Sequence, residues 1–399
     1  MNSINRRTSC IVCDHRELIP FFHLSRSPVQ CNRLWNTPAE ALRAPRGEID
    51  LVLCAHCGLV FNRSFQRDKM RYSPDYENSL HFSPRFQRFA KNLALDMMDT
   101  FHLENKNVIE IGSGDGFFLS LLSHLGAKHG IGFDPGYLPP SQRAADQRGD
   151  VVEDENLQFF KELYPNPQVE LDFPPDFILC RHVLEHLEDP LNLLQEVRAE
   201  DVPVYFEVPN FGYILEHFSY WDILYEHHLY FTRPALTYLF RKAGFHVRRL
   251  RETFGGQYLS LEALPVESDT PPVKTRADEI EPLLTETLEF GRTFQQIKAQ
   301  WQEFFSAHAD QNTPIVVWGI GSKGIIFLNH IAPSTIRYGV DINPRKRGRF
   351  VPGTGQEVVS PDFLKNFQPQ IIILMNQLYE KEIQAELDRL QVQCRLLQA

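Results

Sequence analysis

The chain has 399 residues, 43% of them hydrophobic, and a formal net charge of −10 with histidine neutral. At roughly 150 residues per domain, that length calls for more than one core. The acidic balance excludes a broad phosphate-binding surface, because nucleic acid and anionic membranes draw on clustered Lys and Arg, so the expected partners are small molecules.

No apolar run reaches the ~18 residues that span a bilayer, and the opening MNSINRRTSC lacks a secretory apolar stretch. The expected location is cytoplasmic. There, paired cysteines hold metal or do redox work instead of forming a disulfide framework.

Residues 1–70 contain five of the seven cysteines. Cys10-x2-Cys13 and Cys54-x2-Cys57 supply four thiolates, the donor set of a tetrahedral structural zinc ion with no position left for substrate. The redox reading needs one CxxC opening a helix in a βαβ context, which neither pair has. Cys31, Cys180 and Cys394 read as single filler residues. Weak periodicity suggests that this segment depends on something other than a large core.

From Phe86 the grammar changes. Phe86, Phe89, Ala90, Leu93, Met97 and Phe101 recur at helical spacing and predict an amphipathic helix. Between about 107 and 264, the runs NVIEI, HGIGF, DFILC, VYFEV and YLSLEAL alternate with helical or loop segments, which predicts a doubly wound α/β sheet. Residues 265–310 read as a linker and connecting helix. A small α/β unit over 311–399 starts at PIVVWGIGSKGIIFLNHI. The expected domains are therefore 1–70, 71–264 and 311–399, with 265–310 between the last two.

In NVIEIGSGDGFFLSLL a strand ends near Glu110, the turn Gly112-Ser113-Gly114-Asp115-Gly116 follows, and an apolar helix begins at Phe117. Glycines there let a ligand approach the backbone and present amides at a helix N-terminus. Asp134 closes the next strand, 22 residues after Gly112, where a carboxylate accepts ribose hydroxyls. Two acids at the turn, Glu110 and Asp115, suit a sulfonium with an amino-acid tail better than a pyrophosphate. S-adenosylmethionine is therefore expected in preference to NAD.

VIEIGSGDGFFLSLL, GFDPG, DFILCRHVLEHLEDP and YFEVPN resemble the successive motifs of class I S-adenosylmethionine-dependent methyltransferases. With the four-cysteine module in front and the WGIGSKG unit behind, nearly the whole chain resembles the three-domain sugar C-methyltransferases that act on nucleotide-linked keto-deoxysugars. The resemblance implies a class I methyltransferase sheet between a four-cysteine zinc module and a Rossmann-like substrate-side unit. It places Glu110, Gly112, Ser113 and Gly114, with Asp115 and Gly116 of the same turn, at the methionine end of the cofactor, and Asp134 at its ribose. His182 then faces cofactor and substrate, while Glu185 and His186 read as helix surface near the cleft. Tyr76, in Tyr76-Glu77-Asn78-Ser79 where the family has Ser in place of Asn78, becomes a substrate or cofactor contact. Asn210, at the end of YFEVPN, falls on the substrate side.

The second Gly-rich turn runs from Gly319 to Gly324, with Asp341 22 residues after Gly319. Taken alone it fits a dinucleotide fingerprint and a dehydrogenase. By the resemblance it belongs to the substrate side, where Gly321 and Lys323 would hold a diphosphate. Arg345, Lys346, Arg347 and Arg349 read as a solvated basic turn.

WDILYEHHLYFT, residues 221–232, concentrates polar chemistry among apolar neighbours. Its adjacent His227 and His228 face opposite sides of an extended segment, and no nearby acid or histidine at helical spacing completes a metal set. The family's Tyr-His-Glu-His-x-x-Tyr-Phe, matched from its Tyr-Phe end, puts Glu226 and His227 on its Glu and His; this sequence lacks the His between Tyr and Glu, and the family Tyr's role passes to Tyr225. The expectation is that His227 removes a proton from the carbon to be methylated, with Glu226 orienting it, Tyr225 and Tyr76 assisting, and His228 turned away. An O- or N-methyltransferase of another small molecule and a catalytically inactive cofactor-binding scaffold are the alternatives.

Overall fold

The computed structural model describes residues 6–70, 76–77, 79–139, 155–266, 277–309 and 313–399. Asn78 lies outside them. Hydrophobic alternation and apolar runs sort the described strands into three sheets, one each of four, seven and five strands.

The four-stranded sheet is antiparallel and pairs Leu18–Pro28 with Arg46–Cys54, Arg46–Cys54 with Val60–Asn62, and Val60–Asn62 with Leu229–Tyr230. Its last strand is therefore borrowed from the stretch that carries Glu226 and His227. In Arg46–Cys54 the side chains of Ile49, Leu51 and Leu53 are fully buried in one apolar cluster, while Val52 and Cys54 are fully buried in another. A strand covered on both faces reads as a continuous run, so its periodicity is weak although its burial is complete. The expectation that residues 1–70 lack a share in a large core is thereby corrected.

The seven-stranded sheet has the order Phe245–Thr253, Tyr258–Pro265, Val204–Pro209, Phe177–Arg181, Asn107–Ile111, His129–Phe133, Leu157–Phe160. The last five of these are parallel, and Tyr258–Pro265 runs antiparallel to both its neighbours. The five anticipated strands are all present. Phe245–Thr253 escapes prediction because its polar residues FHVRRLRET break the apolar run, and its burial is correspondingly intermittent. The amphipathic helix spans Pro84–Thr100: Ser83 caps it by accepting from the Phe86 amide, Pro84 opens its first turn, and Phe86, Ala90, Leu93, Ala94 and Met97 are buried.

The third sheet is wholly parallel, in the order Glu357–Val359, Tyr338–Val340, Ile315–Trp318, Ile371–Leu374, Arg395–Gln398. Before it runs the 33-residue helix Ala277–Ala309. Phe290 and Phe294 of this helix pack on Phe22 and Tyr220. Gly291 lies so close to Leu18–Pro28 that a methyl group there would overlap the Phe21 carbonyl oxygen. The obstacle is backbone and cannot swing away. We expect Gly291→Ala to destabilise the protein by roughly 1–3 kcal/mol despite its better helix propensity, measured as a lower urea midpoint.

No helix among the described residues is long and apolar enough to cross a membrane.

Candidate active site

Parallel strands end on one edge of their sheet, so the loops after Asn107–Ile111, His129–Phe133, Phe177–Arg181 and Val204–Pro209 converge there. Together with segments of the other two sheets they enclose a cleft of about 1380 Å³. It is lined by Tyr76, Glu110, Gly112, Ser113, Gly114, Asp115, Asp134, His182, Asn210 and His227, and from the C-terminal unit by Gly319, Gly321, Lys323 and Arg345.

Gly112 has φ 76°, and an added Cβ would overlap Val183. Gly114 has φ 57° and open space where a side chain would begin, so a ligand can lie directly on the backbone. The amides of Gly112 and Ser113 donate to the Phe133 carbonyl at 2.8 and 3.3 Å. Asp134 takes the Gly114 amide at 2.9 Å on one oxygen and the Gly136 amide at 2.7 Å on the other. The carboxylate expected at the ribose is thus also what shapes the turn, and its remaining lone pairs stay available to hydroxyls. Gly116 is corrected from the cofactor set: it does not line the cleft, and its φ of 86° and contact with Phe159 make it a packing glycine at the helix start. Gly112→Ala is expected to lower S-adenosylmethionine affinity at least tenfold by calorimetry, because overlap with Val183 and a left-handed φ both displace the turn.

Glu110 is 3% exposed. Burial pushes its carboxyl up to about 8; nearby Arg181 opposes this, and Asp115 and Asp134 add to it. Its Oε2 and the Ser113 hydroxyl are buried with no hydrogen-bond partner. Buried acceptors without donors are costly. The ammonium of an amino-acid tail supplies the missing positive charge and donors, so the turn fits the methionine end of S-adenosylmethionine.

His182 follows strand Phe177–Arg181 with φ 57°. Its Nε2 lies 3.2 Å from Glu207 and its Nδ1 3.6 Å from Glu185. Burial alone would lower its pKa, but the two carboxylates raise it to about 9, so the ring is an imidazolium. Burial likewise works against the Glu207 carboxylate, yet Arg181, bonded to it at 3.0 Å, and His182 hold it at about 2. Glu185, read from sequence as helix surface, is 1% exposed and belongs to this buried charge network.

The stretch around His227 departs from expectation in two ways. Glu226 is fully buried and its carboxylate faces away from His227: it accepts from the amides of Cys31 and Asn32 and from the Tyr76 hydroxyl at 2.5 Å. Tyr225 and Glu226 form a turn ahead of strand Leu229–Tyr230, and these hydrogen bonds direct Glu226 to Tyr76, so it does not orient His227. With its proton committed to Glu226 and Asn32 donating to it at 3.1 Å, Tyr76 meets a ligand as an acceptor. Tyr225 is fully buried outside the cleft, its hydroxyl exchanging hydrogen bonds with the backbone of Gln66. It is packing, and Leu224 is the residue that reaches the cleft wall. His228 is buried flat against Phe65, rings 4.4 Å apart, as expected of a structural residue.

His227 lines the cleft with its Nδ1 buried and unpartnered. Burial first, and neighbouring His186 second, lower its pKa to about 3, against the pull of Glu185, so the ring is neutral. The donor atoms of Glu185, His186 and His227 lie within 4.8 Å of one another. Sequence spacing, which offered no such set, misses it because Glu185 and His186 come from a different strand end.

On the C-terminal side, the Lys323 ammonium is neutralised by Asp222 at 2.8 Å. Gly321 leaves open space at the start of helix Ser322–His330. Asn210 caps helix Phe211–Glu216 and donates to Gly256 at 2.8 Å, so its amide is largely used in structure. The solvated reading of the basic turn is corrected for two residues. Arg345 has a side chain 7% exposed and contacts Glu77 at 3.1 Å and Asp115 at 3.7 Å; Lys346 is buried on Asp341 at 3.2 Å and the Ile320 carbonyl at 3.0 Å. A buried lysine on Asp341 occupies the acid that a dinucleotide ribose would need, which removes the dehydrogenase fingerprint's second half. Arg347 is exposed as expected.

The four N-terminal thiols are grouped, with Cys10 Sγ 3.6 Å from Cys57 Sγ and Cys13 Sγ 3.5 Å from Cys54 Sγ. A tetrahedral ion with metal–sulfur bonds of about 2.3 Å sets its sulfurs about 3.8 Å apart, so the cluster fits zinc.

The matching family models agree with this geometry. Residues 83–250 match the "Methyltransferase domain" family and residues 275–394 the "C-methyltransferase C-terminal domain" family. C-methyltransferase NovU of Streptomyces niveus is 22% identical over 94% of this chain and 90% of its own. The tRNA U34 carboxymethyltransferase of Campylobacter hominis is 34% identical over 29% of this chain and 38% of its own. Among solved structures, the Burkholderia thailandensis 1,6-didemethyltoxoflavin-N1-methyltransferase with bound S-adenosylhomocysteine aligns with 46% of this chain and 82% of its own, at 18% identity and a TM-score of 0.33. A doubly wound sheet, a Gly-rich turn shaped for the methionine tail and two matched domains, the second described as a C-methyltransferase C-terminal domain, indicate an S-adenosylmethionine-dependent methyltransferase.

Proposed function

We propose that the acceptor is a nucleotide-linked keto-deoxysugar, methylated at a carbon beside its ketone. The observation that carries the reading is the placement of His227, an imidazole with an unpartnered buried nitrogen in the cleft that the Gly114 turn also lines. Carbon is methylated as a nucleophile only after losing a proton, and a ketone next to it makes that loss possible through an enolate. An O- or N-acceptor needs far less of a base.

S-adenosylmethionine supplies the electrophilic methyl group on its sulfonium. Glu110 and Ser113 bind its amino-acid tail and Asp134 its ribose. His227 takes the proton from the acceptor carbon, and Glu185 beside it stabilises the imidazolium that forms. The His182 imidazolium adds positive charge where the enolate oxygen develops, while Tyr76, locked by Glu226 and Asn32, receives an acceptor hydroxyl. Gly321, where the helix start is open, suits the diphosphate better than Lys323, whose charge Asp222 already neutralises.

The test uses deuterated water. Enzyme, S-adenosylhomocysteine and a panel of keto-sugar nucleotides are incubated without a methyl donor, and deuterium at the acidic carbon is followed by NMR. Deuterium incorporation by the wild type and none by His227→Asn is the expected result. Methyl transfer without any exchange would instead favour an O- or N-acceptor.

We further infer that Cys10, Cys13, Cys54 and Cys57 hold structural zinc. Stripping it with a chelator is expected to abolish methyl transfer through loss of the four-stranded sheet, seen as a fall in β circular dichroism that returns with one equivalent of zinc per chain.

A further inference from the structure

Outside the cysteine module, the described residues contain another grouping of strong metal donors, inside the cleft itself: Glu185, His186 and His227. Each has a feature that suits it to a cation. Glu185 is 1% exposed, and its Oε2 is buried with no hydrogen-bond partner. The His227 Nδ1 is likewise buried and unpartnered. His186 Nδ1 lies 2.9 Å from the Glu226 carbonyl oxygen. A carbonyl can only accept, so Nδ1 carries the proton in this contact, the outer-shell bond that usually holds a metal-binding histidine.

One carboxylate and two imidazoles form the donor set of three-ligand zinc sites, which leave a fourth position to water or substrate. The donors come from two elements of different sheets. Glu185 and His186 lie on the short turn Leu184–His186 after strand Phe177–Arg181, and His227 lies just before strand Leu229–Tyr230.

We propose that Glu185, His186 and His227 form a divalent-cation site, distinct from the cysteine module, whose occupation by zinc switches methyl transfer off. The site stands on geometry alone. The inhibition rests on the reading of His227 as the base, because a ring whose lone pair is given to a metal cannot take a proton from carbon. No covalent step is involved, since the cation and the acceptor proton compete for the same imidazole.

The experiment uses the full chain with its cysteine module zinc-loaded, titrated with Co2+. Uptake of one further equivalent is expected, with visible d–d absorption but no thiolate charge-transfer band. Glu185→Gln and His186→Asn should each weaken that uptake at least about tenfold. In parallel, added zinc should inhibit the wild type, and the inhibiting concentration should rise by a similar factor in both variants. No uptake by the wild type, or uptake unchanged in both variants, overturns the site. Uptake with activity undiminished or raised keeps the site and overturns the role of His227 as base, so the two readings fail separately.

Discussion

Replacing His227 with Asn should lower turnover by about 10²–10⁴-fold, the usual contribution of a positioned general base, while S-adenosylmethionine affinity measured by calorimetry stays within a factor of three or so. The separation follows from placement. The proposed cofactor contacts sit on the loops after Asn107–Ile111 and His129–Phe133, whereas His227 lies just before the strand Leu229–Tyr230 that joins the N-terminal sheet. Asn matches the imidazole in polarity and approximate size at the buried end, so a collapse of the cleft wall is not expected. Turnover within a few-fold of wild type would remove His227 from the chemistry. Glu226→Gln supplies the contrast. Since Glu226 holds Tyr76 and not His227, its loss should act on acceptor KM more than on kcat, the pattern of an altered binding wall.

The second large effect is one of stability. Arg181 is 9% exposed in its side chain, bonded twice to Glu207 at 3.0 Å and resting on the Phe118 ring. Arg181→Ala leaves Glu207 and Glu110 facing a hole with their main counter-charge gone. Breaking a buried pair from one side typically costs about 3–5 kcal/mol, and that loss is expected in urea denaturation, together with loss of cofactor binding as Glu110 is driven further toward its neutral form. Removing both charges with Arg181→Met and Glu207→Gln should recover much of the stability but not the activity, because His182 then lacks the carboxylate that helps keep it charged. A single variant less than about 1 kcal/mol weaker than wild type would contradict this account.

Much of the cofactor half was legible in the sequence. Parallel strands covered on both faces read as uninterrupted apolar runs, and a glycine turn between such a run and an apolar helix states its geometry through the backbone alone. What escaped depends on partners far along the chain. Arg345 looks like a solvated cation until Glu77, 268 residues earlier, is placed beside it, and Glu185 looks like helix surface until His182 and His227 close over it. Glu226 escaped for the same reason: its partners Cys31, Asn32 and Tyr76 lie 195, 194 and 150 residues earlier. Tyr225 and Leu224 teach the same lesson: their neighbourhood resembles a catalytic motif, but only register decides which side chain reaches the cleft.

The pairing of Leu229–Tyr230 with Val60–Phe61 bears on how this protein can be rebuilt or can have evolved. The methyltransferase match runs over 83–250 and includes the borrowed strand, so a chimaera exchanging those residues would tear one sheet between donor and recipient. Such an exchange is expected to keep the sheet intact only when the cysteine-bearing segment travels with it, so the two behave as one cassette although nothing covalent but the chain joins them.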